Sequence, residues 1–226
     1  MDHVSSPRTD PAADFGALRE DLGALAALVL AEVERAIAGW DDSDPSVAEV
    51  VAAADREIDL RSAALEARIL TLHQNWATFA HDLRLLHVGL IATVALERVG
   101  NLAVSISRLA GSVPPPEKGS DHVRRLIGEM GRRAVDALSD AVQAVARGDV
   151  EAGDRAVAEA QGLSAMLDQV LRAVSEQAPG EPGMRAWSAA AVLVARHVER
   201  VGNNAAELGA RVHFLVTGES GPAPGG

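Results

Sequence analysis

The pentapeptide Glu-Arg-Val-Gly-Asn occurs twice, as Glu97-Arg98-Val99-Gly100-Asn101 and as Glu199-Arg200-Val201-Gly202-Asn203, 102 residues apart in a chain of 226. The wider windows from Leu96 to Ala103 and from Val198 to Ala205 agree at Glu, Arg, Val, Gly, Asn and Ala. Two copies of one structural unit follow from this. Each pentapeptide sits deep inside a long helical stretch, where Glu and Asn four apart share a face. A glycine inside a helix costs about 1 kcal/mol against alanine, so close approach of another helix or a bound ion should offset it. Taken singly, each copy reads as tight packing with Glu97 and Glu199 on a solvated face. Its presence in both units favours a shared role.

Which folds the repeat can build is limited by composition. Hydrophobic residues make up 48% of the chain, mostly Ala, Val and Leu, with no Tyr, three Phe and three Trp. Such a chain suits closely packed helices. The net charge of −11 argues against a nucleic-acid footprint and makes cations or basic protein surfaces the better partners. Without cysteine the sequence has no disulfide, thiolate metal site or thiol nucleophile. Residues 1–14 carry Asp2, Asp10 and Asp14 and no apolar run, unlike a secretory signal. The longest nearly uncharged run, Leu85 to Leu96, falls short of the roughly 18 residues of a membrane span. A soluble cytoplasmic protein with no direct membrane insertion is the expectation.

Periodicity predicts an all-α chain of two tandem three-helix bundles. Residues 1–12 read as a disordered tail and 13–110 as the first repeat, with helices over Ala13 to Gly39, Pro45 to His73 and Thr78 to Ala110. Asp44 followed by Pro45 is a helix-start signal, and Gly39 reads as a terminator. Residues 111–119, with prolines at 114–116, form a linker. The second repeat covers 120–217, with Ser120 or Asp121 capping a helix to Arg147, a fifth helix to about Gln177 and a sixth from Pro182 to Thr217; 218–226 form a second tail. Asp55 falls on the apolar stripe of the second helix and Asp59 at its edge. Two carboxylates four apart repel unless a cation or a basic side chain such as Arg56 or Arg61 intervenes. Their counterparts on the fifth helix read as Gln161 and Ala165. The third helix is apolar nearly all round from Leu85 to Leu96, and a homodimer is expected to cover the surplus. Beyond it, the face that carried Leu83, Leu90 and Val94 carries Glu97, Asn101, Ser105 and Arg108.

These stretches resemble the PhoU family of phosphate-specific transport regulators, whose two three-helix repeats each carry a signature close to Leu-Glu-Arg-Ile-Gly-Asp. Here the matching residues are Leu96 to Asn101 and Val198 to Asn203. Thr78-Phe79-Ala80-His81-Asp82-Leu83-Arg84 looks like the family's Pro-Val-Ala and Asp-Leu-Arg feature, and Arg211 to Glu219 looks like its closing segment. The resemblance implies a non-enzymatic negative regulator of phosphate uptake and phosphate-starvation signalling. It would act as an adaptor between a phosphate ABC transporter and a sensor histidine kinase. Family members bind metal clusters through the signature Glu and Asp and through acidic pairs on the neighbouring helix. Carried over by position, the ligands would be Glu97, Glu199, Asp55 and Asp59, with Asn101 and Asn203 beside them.

Both signature aspartates are asparagine here. An amide oxygen coordinates Mg, Mn, Fe or Zn without supplying charge, and hard cations depend on that charge. Metal binding is expected to be weak or absent, with the first repeat the better survivor. Two alternatives stand beside the adaptor: a metal- or polyanion-sensing bundle linked to a low-affinity phosphate transporter, and an inert structural bundle. No Glu-x-x-His pair, phosphate-cradling glycine loop or zinc-protease motif is present. The scattered histidines read as polar contacts, and Trp40, Trp76 and Trp187 as covers for the bundle ends. Asp82 and Arg84 read as a helix-start contact or, by resemblance, part of a partner surface.

Overall fold

A computed structural model of the chain describes residues 10–76, 80–116, 120–176 and 183–219. Among the described residues there are six helices and no strand: α1 (Pro11–Asp42), α2 (Val47–Trp76), α3 (Ala80–Leu109), α4 (Asp121–Arg147), α5 (Val150–Ser175) and α6 (Met184–Thr217). Helices α1 to α3 form one bundle and α4 to α6 a second. The two join through α3 against α6 and α1 against α4. Their apolar side chains merge into one continuous core that includes Val99 and Ile106 of α3 and Val201 and Leu208 of α6.

The helix ends differ from those the sequence predicts, each for a local chemical reason. Helix α1 starts at Pro11, two residues early, because the Asp10 carboxylate accepts from the Ala12 N–H at 3.0 Å and Pro11 occupies the first turn. It also runs past Gly39 to Asp42, closing on Ser43 in the left-handed conformation at φ 56°. Gly39 is a packing glycine, since a Cβ there would run into Val47 of α2. Asp44 does accept from the Ser46 N–H at 2.9 Å, and α2 proper begins at Val47. Ser120 precedes α4, but its hydroxyl donates to the Pro116 carbonyl at 3.3 Å instead of capping the helix; Asp149 caps α5 by accepting from the Ala152 N–H. The expected helical residues Thr78, Phe79, Gln177 and Pro182, most of the N-terminal tail, residues 117–119 of the linker and residues 220–226 lie outside the described residues.

Helix α3 is long and apolar enough in composition to cross a membrane, which the sequence reading did not anticipate. Its most apolar window is 61% buried inside the chain. It packs against α1, α2 and α6 at once, so its girdle of Leu85, Leu86, Val88, Ala92 and Leu96 is covered without a second copy. The argument that a homodimer is needed to cover it does not hold. The stripe of Leu83, Leu90 and Val94 runs along the outer edge of α3 and stays partly exposed.

Candidate functional site

The two signatures occupy matching places, each glycine meeting the middle helix of its own bundle, but their surroundings differ. In the first repeat a Cβ on Gly100 would stand 3.1 Å from Ile58 Cδ1 and 3.2 Å from Asp55 Oδ1. The missing side chain lets an α2 carboxylate settle against the α3 backbone. Asp55 Oδ1 is buried there without a hydrogen-bond partner among the described residues. Burial first, and then the neighbouring Asp59 charge, push the Asp55 carboxyl above the usual aspartate range, while Arg108 pulls it down. Asp59 is exposed, and the sequence did not point to Arg108 as the counter-charge.

Glu97 lies half-buried on the neighbouring turn of α3, with no side-chain hydrogen bond or ion pair among the described residues. Asn101, one turn further, is exposed and turns its amide Nδ2 to the Glu97 backbone carbonyl at 3.2 Å. The Ser105 hydroxyl does likewise to the Asn101 carbonyl at 2.9 Å. Part of the polar strip is therefore spent on its own helix.

The second repeat has closed its equivalent site with protein groups. Glu199 is only 5% exposed, not solvated as a single-copy reading suggests. One carboxylate oxygen lies 2.6 Å from Arg196 Nη1, and the other accepts from the Ser164 hydroxyl at 3.3 Å. Gly202 faces Leu163 and Ala160 of α5. Matching these to Ile58 and Asp55 sets the register, so Ala160 and Ser164 replace Asp55 and Asp59. Gln161 and Ala165 were each one residue too far along. Asn203 is exposed. Arg196 was legible in principle, since residues three apart on a helix are neighbours.

A cation needs several oxygen or nitrogen ligands converging on one point. Among the described residues, no group of three His, Asp or Glu side chains is so placed. In the second repeat the acidic ligand of α5 is an alanine and Glu199 is already paired, so the residues present do not fit a metal. In the first, Asp55 faces the signature glycine with the exposed Asp59 one turn along α2, and Arg108 competes for the Asp55 charge.

Other expected features find structural uses. Arg84 donates from Nε to the Leu215 carbonyl at 3.1 Å, tying the start of α3 to the last turn of α6. Trp40 of α1 and Trp187 of α6 stack with ring centroids 6.0 Å apart, both buried, and Trp76 Nε1 donates to Asp14 at 2.9 Å. His87 packs edge-on against Phe214, and His213 Nε2 lies 3.3 Å from Asp154. His197 is held below the usual imidazole range by burial and by Arg200.

Comparison with known proteins bears on the whole arrangement. The phosphate-specific transport system accessory protein PhoU homolog 2 of Mycobacterium tuberculosis is 28% identical over 207 residues, covering 89% of this chain and 93% of that protein. The accessory protein PhoU of Escherichia coli is 23% identical over 210 residues, covering 92% and 85%. The fold matches the crystal structure of PhoU from Pseudomonas aeruginosa with a TM-score of 0.84 at 22% identity, covering 93% of this chain and all of that one. The regulatory protein PhoU from Streptococcus pneumoniae matches with a TM-score of 0.78 at 18% identity, covering 94% of this chain and all of that one. The PhoU domain model matches residues 22–110 and again 127–212, one match per bundle, and the chain belongs to the PhoU family.

Proposed function

We propose that this protein regulates phosphate transport as a non-enzymatic cytoplasmic adaptor, restraining uptake and starvation signalling when phosphate is plentiful. Its partners in this reading are a phosphate ABC transporter and a sensor histidine kinase. The observation that carries the reading is the double PhoU match across both bundles, together with relatives named as accessory proteins of a phosphate-specific transport system. The relatives' names speak for the transporter; the kinase rests on the resemblance alone. An adaptor needs a stable helical scaffold and partner-facing surface, and neither requires a metal. The reading also needs no homodimer.

Deletion of the gene in its native host tests it. Phosphate-starvation genes should then stay switched on in high phosphate, and the intact gene should restore repression. Normal repression in the deletion strain would overturn the proposal.

A second reading, a metal-sensing bundle, draws its support from Asp55 alone. A buried carboxylate oxygen without a partner, one turn from Asp59, is where a weakly held cation would sit. That reading concerns the first repeat only.

A further inference from the structure

The end of α1 and the first turns of α4 border an open cleft of about 370 Å³ that shares no residue with either signature. Its lining consists of charged side chains and one glycine. Two of its carboxylates are already matched. Asp41 at the end of α1 takes Arg124, whose Nη2 lies 3.3 Å from Asp41 Oδ1 and also donates to the Asp41 backbone carbonyl. Glu129 lies 3.3 Å from Arg133 Nη2. Arg125 and Arg132, on one face of α4 seven residues apart, are exposed and have no ion pair among the described residues. Asp121 at the head of that stripe does not balance the two of them. Arg124 itself leaves its Nε buried and without a partner.

Gly128 lies between Arg125 and Arg132 on the same face and keeps the floor of the cleft open. The nearest atom to a Cβ built there is Arg132 Nη1, at 3.9 Å. Two guanidinium groups without an ion pair thus border one open polar cleft on a chain whose net charge is −11. Guanidinium forks match tetrahedral oxyanions through paired, charge-assisted hydrogen bonds. We propose that this cleft binds a compact, multiply charged oxyanion of the phosphate class, held by Arg125 and Arg132 and walled by the Asp41-anchored Arg124. No apolar or aromatic side chain lines it, so nothing there would recognise a nucleobase. Inorganic phosphate and pyrophosphate are the fitting members of the class. The cleft bridges the two bundles, so an occupant would bear on how α1 and α4 meet.

Isothermal titration of the full chain with phosphate, pyrophosphate and ATP in separate arms, at low ionic strength, tests this. The variants are R125Q/R132Q, and R98Q/R200Q, which removes the same charge from exposed signature positions. The expected result is saturable pyrophosphate binding, with phosphate weaker and ATP no tighter than pyrophosphate. Binding should fall at least about tenfold in R125Q/R132Q, as expected for two charge-assisted contacts, and stay within about twofold in R98Q/R200Q. Circular dichroism should show both variants folded, as their arginines are exposed. Absence of saturable binding to the unmodified chain, equal loss in both variants, or tighter binding of ATP would each overturn the proposal.

Discussion

Arg196 Nη1 lies 2.6 Å from Glu199 Oε2, one helical turn away on α6, so the second signature carboxylate is neutralised from within the chain. Its counterpart Glu97 has no such partner among the described residues. Identical pentapeptides thus meet different surroundings: on the signature helix itself Arg196 stands where α3 carries Val94, and on the neighbouring helix Ala160 and Ser164 stand where α2 carries Asp55 and Asp59.

Mutation of the two glutamates should therefore give unequal results. Glu199→Ala removes a buried, paired group and is expected to cost about 2 kcal/mol, leaving Ser164 without its acceptor. Glu97→Ala, at a half-exposed site, should stay within about 0.5 kcal/mol. Urea denaturation of the two variants measures the difference, and equal effects would contradict the asymmetry.

Two glycines that meet backbone to backbone in the second bundle set another expectation. A Cβ on Gly209 of α6 would stand 2.5 Å from the Gly153 carbonyl oxygen of α5, and one on Gly153 would stand 2.7 Å from the Gly209 oxygen. Backbone cannot rotate aside as a side chain can. Gly209→Ala should destabilise by about 2 kcal/mol or more, because overpacking outweighs the roughly 1 kcal/mol gained in helix propensity. Gly100→Ala meets only the side chains of Ile58 and Asp55 and should cost less. Thermal melts of both variants rank the two.

Much of this was legible beforehand, and the misses share a cause. Six helices, their pairing into repeats and the family all follow from the doubled pentapeptide and from apolar periodicity, which report on a helix's own sequence. The pairing of Glu199 with Ser164, the register of Ala160 against Gly202 and the role of Arg108 beside Asp55 depend on how two helices slide past each other. A one-residue error in that register moved the predicted counterparts to Gln161 and Ala165. Gly39 misled for a related reason, since a glycine that ends a helix and one that admits Val47 look alike in sequence. The apolar girdle of α3 is covered by α1, α2 and α6 of the same chain, a packing that the periodicity of α3 alone does not reveal.

Asp55 should give stability an acid-side signature. Its folded pKa is raised above the ordinary 3.8, through burial and Asp59, so the folded state holds the proton more tightly than the unfolded chain. This contribution is therefore most favourable below 3.8 and is lost as pH rises through the raised value. Glu32, buried on α1 with its Oε2 unpartnered, is pushed up by burial against the pull of Arg35 and acts in the same direction. Asp55→Asn should stabilise the protein at neutral pH, with the gain shrinking as pH falls into the carboxylate range. Denaturation curves at neutral and acidic pH check this, and a gain that grows on acidification would reverse the sign.

Metal retention should follow the first repeat alone. Elemental analysis of protein purified without chelator is expected to give sub-stoichiometric Mg, Mn, Fe or Zn. Any metal retained should disappear in Asp55→Asn or Glu97→Ala and persist in Glu199→Ala. Stoichiometric metal lost only through Glu199→Ala would contradict the closed second site.

The central claim is the link to phosphate transport, and affinity capture from the native host addresses it most directly. A tagged copy of the full chain, expressed from its own promoter in phosphate-replete cells, should recover subunits of a phosphate ABC transporter and a sensor histidine kinase. Recovery of neither under high phosphate, with the bait folded and abundant, would contradict the account.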